Sequence, residues 1–221
     1  MTILPIAHAH NGFTEKFGIP RQSGRAPSVL TRIVFEPEFR SPEALRGIEQ
    51  WSHLWIIWGF SENEGWTPTV RPPRLGGNTH LGVFATRSPF RPNGLGLSSV
   101  KLEKVEKTRE GMVLVVSGAD LMDGTPIYDI KPYLPYTDIH PDATSGFAAD
   151  DSYRLEVVWA KGTKRGLKSA VIQELTEILQ EDPRPAFHDD PERIYGLTYA
   201  GYNISFRVAE RRLTVVSVEV I

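Results

Sequence analysis

W-S-H-L-W-I-I-W-G-F, Trp51 to Phe60, is the most apolar stretch of the 221-residue chain, and its reading decides the fold. Successive strand residues point to opposite faces, so Trp51, His53, Trp55 and Ile57 share one face and Leu54, Ile56, Trp58 and Phe60 the other. Both faces are largely apolar. That is the pattern of a strand covered on two sides, in the wall of a small barrel or in a sheet with a layer on each face. Among tryptophans, His53 is expected to be a hydrogen-bonded core histidine rather than a catalyst.

Working outward, Leu4 to His10, Val29 to Phe35, Thr79 to Ala85, Leu97 to Lys104, Met112 to Gly118 and Ile127 to Ile130 also read as strands. Asp123-Gly124 is the strongest signal of the turn Asp120 to Pro126. Ser41 to Gly47, with serine as cap and proline at the first position, predicts a helix of one or two turns. Lys131 to Asp138 is expected to run extended because its prolines oppose a helix. Beyond Trp159 the pattern changes. Leu167, Ala170, Val171, Leu175, Ile178 and Leu179 fall at helical spacing within Thr163 to Gln180, and Asp182-Pro183-Arg184-Pro185 stops the helix. Three alternating strands follow, Ile194 to Ala200, Tyr202 to Val208 and Leu213 to Val220. The expectation is a mainly β protein: a closed or partly open barrel over residues 1–160, then a small α+β domain over 161–221.

Composition narrows the function. The formal net charge is −2, so any polyanion surface must come from segregated charge. Such segregation exists. Between Gly65 and Lys101 stand Arg71, Arg74, Arg87, Arg91 and Lys101 with no Asp or Glu, whereas acidic residues crowd Asp138 to Asp151 and Glu174 to Glu192. The chain has no cysteine, which excludes disulfides, thiolate metal sites and cysteine nucleophiles. The start lacks a signal-peptide pattern and Leu54 to Phe60 is too short to span a bilayer, so a cytoplasmic protein without a membrane segment is expected. His8 and His10 have the spacing of a strand-borne metal pair, but no third ligand is near, and no metal is expected. Nucleophile elbow, zinc-hydrolase helix and P-loop are all absent. The one GxG, Gly94-Leu95-Gly96, leads into a strand rather than a helix and carries no dinucleotide signature.

Rigid loops remain. Arg87-Ser88-Pro89-Phe90-Arg91-Pro92-Asn93-Gly94 is stiffened by two prolines and holds two guanidinium groups in place. Gly12 to Arg25 is punctuated too often for a helix or long strand, with Phe17 and Ile19 as apolar anchors and Arg21-Gln22 at its tip. With Ser61 to Gly65 and Asp120 to Pro126, these loops meet if the strands close a barrel. The site they would form suits a polar small molecule beside an anion, with catalysis by positioning.

At A-T-R-S-P-F-R-P-N (Ala85 to Asn93), joined by S-H-L-W-I (Ser52 to Ile56), R-P-P-R-L-G-G-N (Arg71 to Asn78), D-G-T-P-I (Asp123 to Ile127) and D-I-K-P-Y-L-P-Y (Asp129 to Tyr136), the sequence resembles the TsaA/TrmO family. D-P-R-P-A-F (Asp182 to Phe187) extends the likeness to the C-terminal region. The resemblance implies a β-barrel methyltransferase, neither Rossmann nor knotted, that works as a homodimer. It would use S-adenosylmethionine to methylate N6 of threonylcarbamoyladenosine at tRNA position 37, beside the anticodon. Carried over, the cofactor positions are Pro20, Arg21, Gln22, Ser61, Glu62, Arg87, Leu97, Asp120, Leu121, Met122, Asp123, Gly124 and Thr125. Asp123 or Asp138 would serve as proton acceptor. Arg21, Arg71, Arg74, Arg91 and Lys131 would meet the RNA. Two positions depart from the family pattern: Gly94 replaces a proline after R-P-N, and His10-Asn11-Gly12 stands where a serine-proline is usual. A non-catalytic RNA-binding barrel, or a methyltransferase with a different small acceptor, are the competing readings.

Overall fold

The computed structural model describes residues 2–221 apart from 76–77, 149–151, 186–187 and 189; the side chain of Arg74 also lies outside the described set. In chain order the elements are β1 Ala7–His10, β2 Leu30–Phe35, β3 His53–Gly59, β4 Thr69–Val70, β5 Leu81–Gly82, β6 Leu95–Thr108, β7 Gly111–Ser117 and β8 Pro126–Pro132. There follow α1 Pro135–Asp138, β9 Glu156–Trp159, α2 Ser169–Gln180, β10 Tyr195–Tyr199, β11 Tyr202–Ala209 and β12 Arg212–Val220.

Six strands pair in the order β1-β2-β7-β6-β3-β8 and close into a barrel, because β1 meets β8 at Ala7↔Ile127 as well as β2 at Ala7↔Phe35. All of these pairings are antiparallel. The interior is filled by Ala7, Ala9, Ile33, Phe35, Leu54, Ile56, Trp58, Val100, Leu114, Val116 and Ile127. Small residues on β1 make room for the large ones opposite. Gly96 does the same for Trp58, its register partner, since a Cβ there would lie 2.3 Å from the indole.

The two-faced reading of Trp51 to Phe60 holds for one face only. Leu54, Ile56 and Trp58 are buried, whereas Trp55 and Ile57 are half-buried and His53 is exposed beside the Ser52 hydroxyl. His53 is therefore no core histidine. Thr79 to Ala85 is not a barrel strand either. Only Leu81–Gly82 pairs, with Thr69–Val70, and Val83–Ala85 then coils into a 3-10 turn as the Val83 amide donates to the Pro68 carbonyl. Ser41 caps nothing with its side chain and the helix is a 3-10 turn, Pro42–Leu45. Pro135 starts a helical turn instead of forbidding one, as proline does at a first helical position. Turns over residues 160–168, with Gly166 at φ +83°, delay α2 to Ser169.

The second sheet has the order β10-β11-β12-β9, with β9 parallel to β12. Glu156–Trp159, which a boundary at residue 160 leaves with the barrel, thus pairs on the C-terminal side. α2 covers this sheet through Leu175, Ile178 and Leu179. Phe13, Ala26 and Val29 from the β1–β2 connection enter the same core, and Phe17 and Ile19 pack against it as the anchor reading expects. Phe13 is fully buried, its ring 4.9 Å from that of Tyr199. Phe13→Ala should cost about 3–5 kcal/mol and lower Tm by roughly 6–20 °C, measured by thermal denaturation. A shift of only about 1 °C would contradict this packing.

Candidate functional site

Strand polarity decides where the candidate residues go. In an antiparallel barrel alternate connections leave by the same end, here 11–29 between β1 and β2, 60–94 between β3 and β6, and 118–125 between β7 and β8. Pro20-Arg21-Gln22, Ser61-Glu62, Arg87 and Asp120 to Thr125 all lie in these three connections.

Hydrogen bonds tie the loops into one rim. Arg87 Nη1 donates to Gln22 Oε1 at 2.5 Å. The Gly24 amide donates to the Gly118 carbonyl at 2.7 Å, and Lys16 Nζ donates to the Glu62 carbonyl. Asn11 binds the third loop: its side-chain amide donates to the Leu121 carbonyl at 2.9 Å, and its backbone N–H to Asp123 Oδ1 at 3.1 Å. His10 Nδ1 lies 3.3 Å from the same oxygen. The His10-Asn11 corner is thus the clasp of the Asp123 turn.

Asp120 is hydrogen-bonded into the barrel wall beneath the rim. The Trp58 indole N–H donates to Ser98 Oγ at 2.9 Å, and the Ser98 hydroxyl donates to Asp120 Oδ1 at 2.5 Å. Burial pushes the Asp120 carboxyl above the ordinary range; the Ser98 bond, backbone N–H groups and the nearby Arg87 charge oppose the shift without cancelling it. Sequence reasoning gave Asn11, Ser98 and Trp58 no role in the site. Only the barrel register, which sets Ser98 against Ile56 and Trp58 against Gly96, brings them here.

Other candidate residues land differently. Leu121 belongs to the barrel core and Thr125 is buried, so these two offer a ligand their backbone at most. Pro20 is buried; Arg21, Ser61, Glu62 and Gly124 are exposed, and Met122 is half-buried. Arg91 donates to the carbonyls of Thr86 at 2.8 Å and Val83 at 3.2 Å and lies over Phe84, so it clamps its own loop. Arg71 donates to His80 at 2.9 Å and remains exposed. Arg74 lies outside the described side chains. Lys131 pairs with Asp129 at 2.9 Å and opposes Trp55, about 13 Å along β8 from the rim residue Ile127.

Leu97 and Asp138 form a second group, on the barrel's outer wall. Leu97 opposes Ile57 on β3 and is 56% exposed. Asp138 Oδ2 accepts from the Trp55 indole and the Leu134 amide, both at 2.8 Å, two residues along β3 from Ile57. Asp123 and Asp138 therefore stand apart, one at the rim and one on the wall. Among the described residues no group of three or more His, Cys, Asp or Glu is placed to hold a metal; His8 instead pairs with Glu36 at 2.7 Å. A cleft of about 710 Å³ opens on the C-terminal side among Arg154, Arg207, Arg211 and Arg212, and no rim residue lines it.

The fold is a closed β-barrel whose loops form a charged rim at one end, followed by an α+β unit. Residues 8–139 match the tRNA-methyltransferase O N-terminal domain and residues 153–221 the TrmO C-terminal domain. The chain belongs to the TrmO family. It is 39% identical over 220 residues to a tRNA (adenine(37)-N6)-methyltransferase of Escherichia coli, covering 94% of this chain and 93% of that one. An Eikenella corrodens protein of the same name is 49% identical over 160 residues, 71% of this chain and 90% of its own. A crystal structure of TrmO from Pseudomonas aeruginosa superposes with a TM-score of 0.83 at 34% identity, covering 100% and 97% of the two chains.

A carboxyl whose folded pKa is raised holds its proton better folded than unfolded. Stability from Asp120 is therefore full below the unfolded pKa and is lost as pH rises through the folded one. Asp120→Asn, which keeps an acceptor for Ser98, should be as stable as wild type at about pH 3 and more stable at about pH 7, read as Tm at both pH values. A variant less stable by the same amount at both would contradict the assignment.

Proposed function

We propose that the chain is an S-adenosylmethionine-dependent tRNA methyltransferase that methylates N6 of threonylcarbamoyladenosine at position 37. The observation that carries this reading is the convergence of Arg87, Gln22 and Asp120 at one rim, in a chain matching the family over both halves. The names of the curated relatives agree, including a Pseudomonas aeruginosa protein whose name contains S-adenosylmethionine-dependent methyltransferase.

The residues present fit the donor. Arg87 offers a cation to a carboxylate, and Asp120 with the 120–125 turn offers acceptors to ammonium and hydroxyl groups. When bound, the donor supplies an electrophilic methyl on a sulfonium. Arg87 and Gln22 fix each other, so the carboxylate partner is oriented before binding. The acceptor N6 lies between a purine and a carbamoyl group, so a weak base suffices to take its proton. Asp138 is our candidate for that: two donors hold Oδ2 and set the direction of the carboxylate on the outer wall. Asp123 keeps the turn in place through Asn11. Arg21 and Arg71 are read as phosphate contacts of the anticodon loop, with Arg74 and Lys131 as outer ones; Arg91 shapes the loop that presents them.

A homodimer fits the apolar outer wall, where Leu97 and Tyr136 stand 56% and 86% exposed. No helix among the described residues is long and apolar enough to cross a membrane, and a tRNA substrate supports a cytoplasmic reading.

Isothermal titration should show S-adenosylmethionine binding to the wild type and at least about tenfold weaker binding to Arg87→Ala. Asp138→Asn should lower kcat by about a hundredfold with donor affinity unchanged, followed by mass spectrometry of the tRNA product. No heat and no added methyl with the wild type would reject the reading.

A further inference from the structure

The C-terminal domain packs on the β1–β2 connection of the rim, and it does so with charged groups as well as apolar ones. α2 presents Glu177, and Glu181 caps its C-terminus four residues on. Glu177 accepts the backbone N–H of Ser28 at 2.7 Å on Oε2 and its hydroxyl at 2.6 Å on Oε1. Gln173 Nε2 donates to the same Ser28 Oγ at 2.7 Å. Glu181 pairs through Oε2 with Arg25 Nε at 2.8 Å and through Oε1 with Arg154 Nε at 2.8 Å. The Arg25–Glu181 pair is largely buried, 15% and 11% exposed. Just beyond α2, the Arg184 carbonyl accepts from Arg21 Nη2 at 3.3 Å.

These anchors fall at residues 21, 25 and 28, and the rim contacts fall between and beside them. Gln22 meets Arg87, and the Ser23 backbone reaches Asp120. One strip of chain is held from behind by the C-terminal domain and faces the rim in front. A buried ion pair adds little net stability compared with an apolar pair of equal size, yet it imposes one geometry. We propose that Glu181 and Glu177 are positioning residues for donor binding, and that the C-terminal domain sets donor affinity by fixing residues 21–25 without touching the donor. The proposal rests on the rim being the donor site.

The test uses the full-length chain with Glu181→Gln and Ser28→Ala. The second removes the hydroxyl bonds to Glu177 and Gln173 but no core atom, so it carries the test if the first fails to fold. Expected is a donor Kd and donor KM raised at least about tenfold, with kcat within roughly twofold of wild type. Amide hydrogen exchange should quicken over residues 19–25 and stay unchanged in β3 and β11. A folded variant with wild-type donor Kd overturns the proposal alone. Failure of the wild type to bind donor overturns the rim reading and this proposal with it.

Discussion

Phe13 leaves the barrel and is buried in the core of the neighbouring domain, and the rest of the structure depends on that crossing. The connection between β1 and β2 has no regular structure of its own, and its apolar residues find no partners in the barrel interior. Phe13, Ala26 and Val29 take places among Leu175, Leu197, Tyr199 and Phe206, with Phe17 and Ile19 packed alongside. Fixing such a segment costs conformational entropy at every residue, which only burial of this kind offsets. The C-terminal sheet is thereby built around a piece of the N-terminal half.

The second constraint is topological. Once six antiparallel strands close, three connections must share an end, and the candidate residues meet without any local signal telling them to. The loops need only short links to become a rigid rim: Arg87 to Gln22, Gly24 to Gly118, Asn11 to the 121–123 turn. Rigidity matters because a site that works by alignment loses its effect with small displacements. The proline-stiffened 87–94 loop adds to it from within, with Arg91 bonding its own backbone carbonyls.

Much of the barrel was legible in the sequence, because strand burial writes a period of two into residues such as Leu54, Ile56 and Trp58. Phe17 and Ile19 were legible as anchors, since apolar residues in a glycine-rich loop need a surface to rest on. Phe13 was not, as its partner Tyr199 lies 186 positions away in the sequence. Separation in sequence also hid the roles of Asn11 and Ser98, and it misplaced β9, whose parallel partner follows more than fifty residues later. Thr79 to Ala85 misled for the opposite reason: its local pattern is that of a strand, but the closed barrel left no neighbour for it. Arg91 and Arg71 look alike in sequence, and only the carbonyls around Arg91 show that it serves the loop.

A crystal structure with S-adenosylmethionine bound is the most direct test of the central claim, that loops held by the C-terminal domain form the donor site. The account predicts the donor carboxylate within hydrogen-bonding distance of Arg87, with the ligand bounded by residues 20–23 and the 120–125 turn. Donor density in the arginine-lined cleft of the C-terminal sheet, with the rim left open, would contradict it.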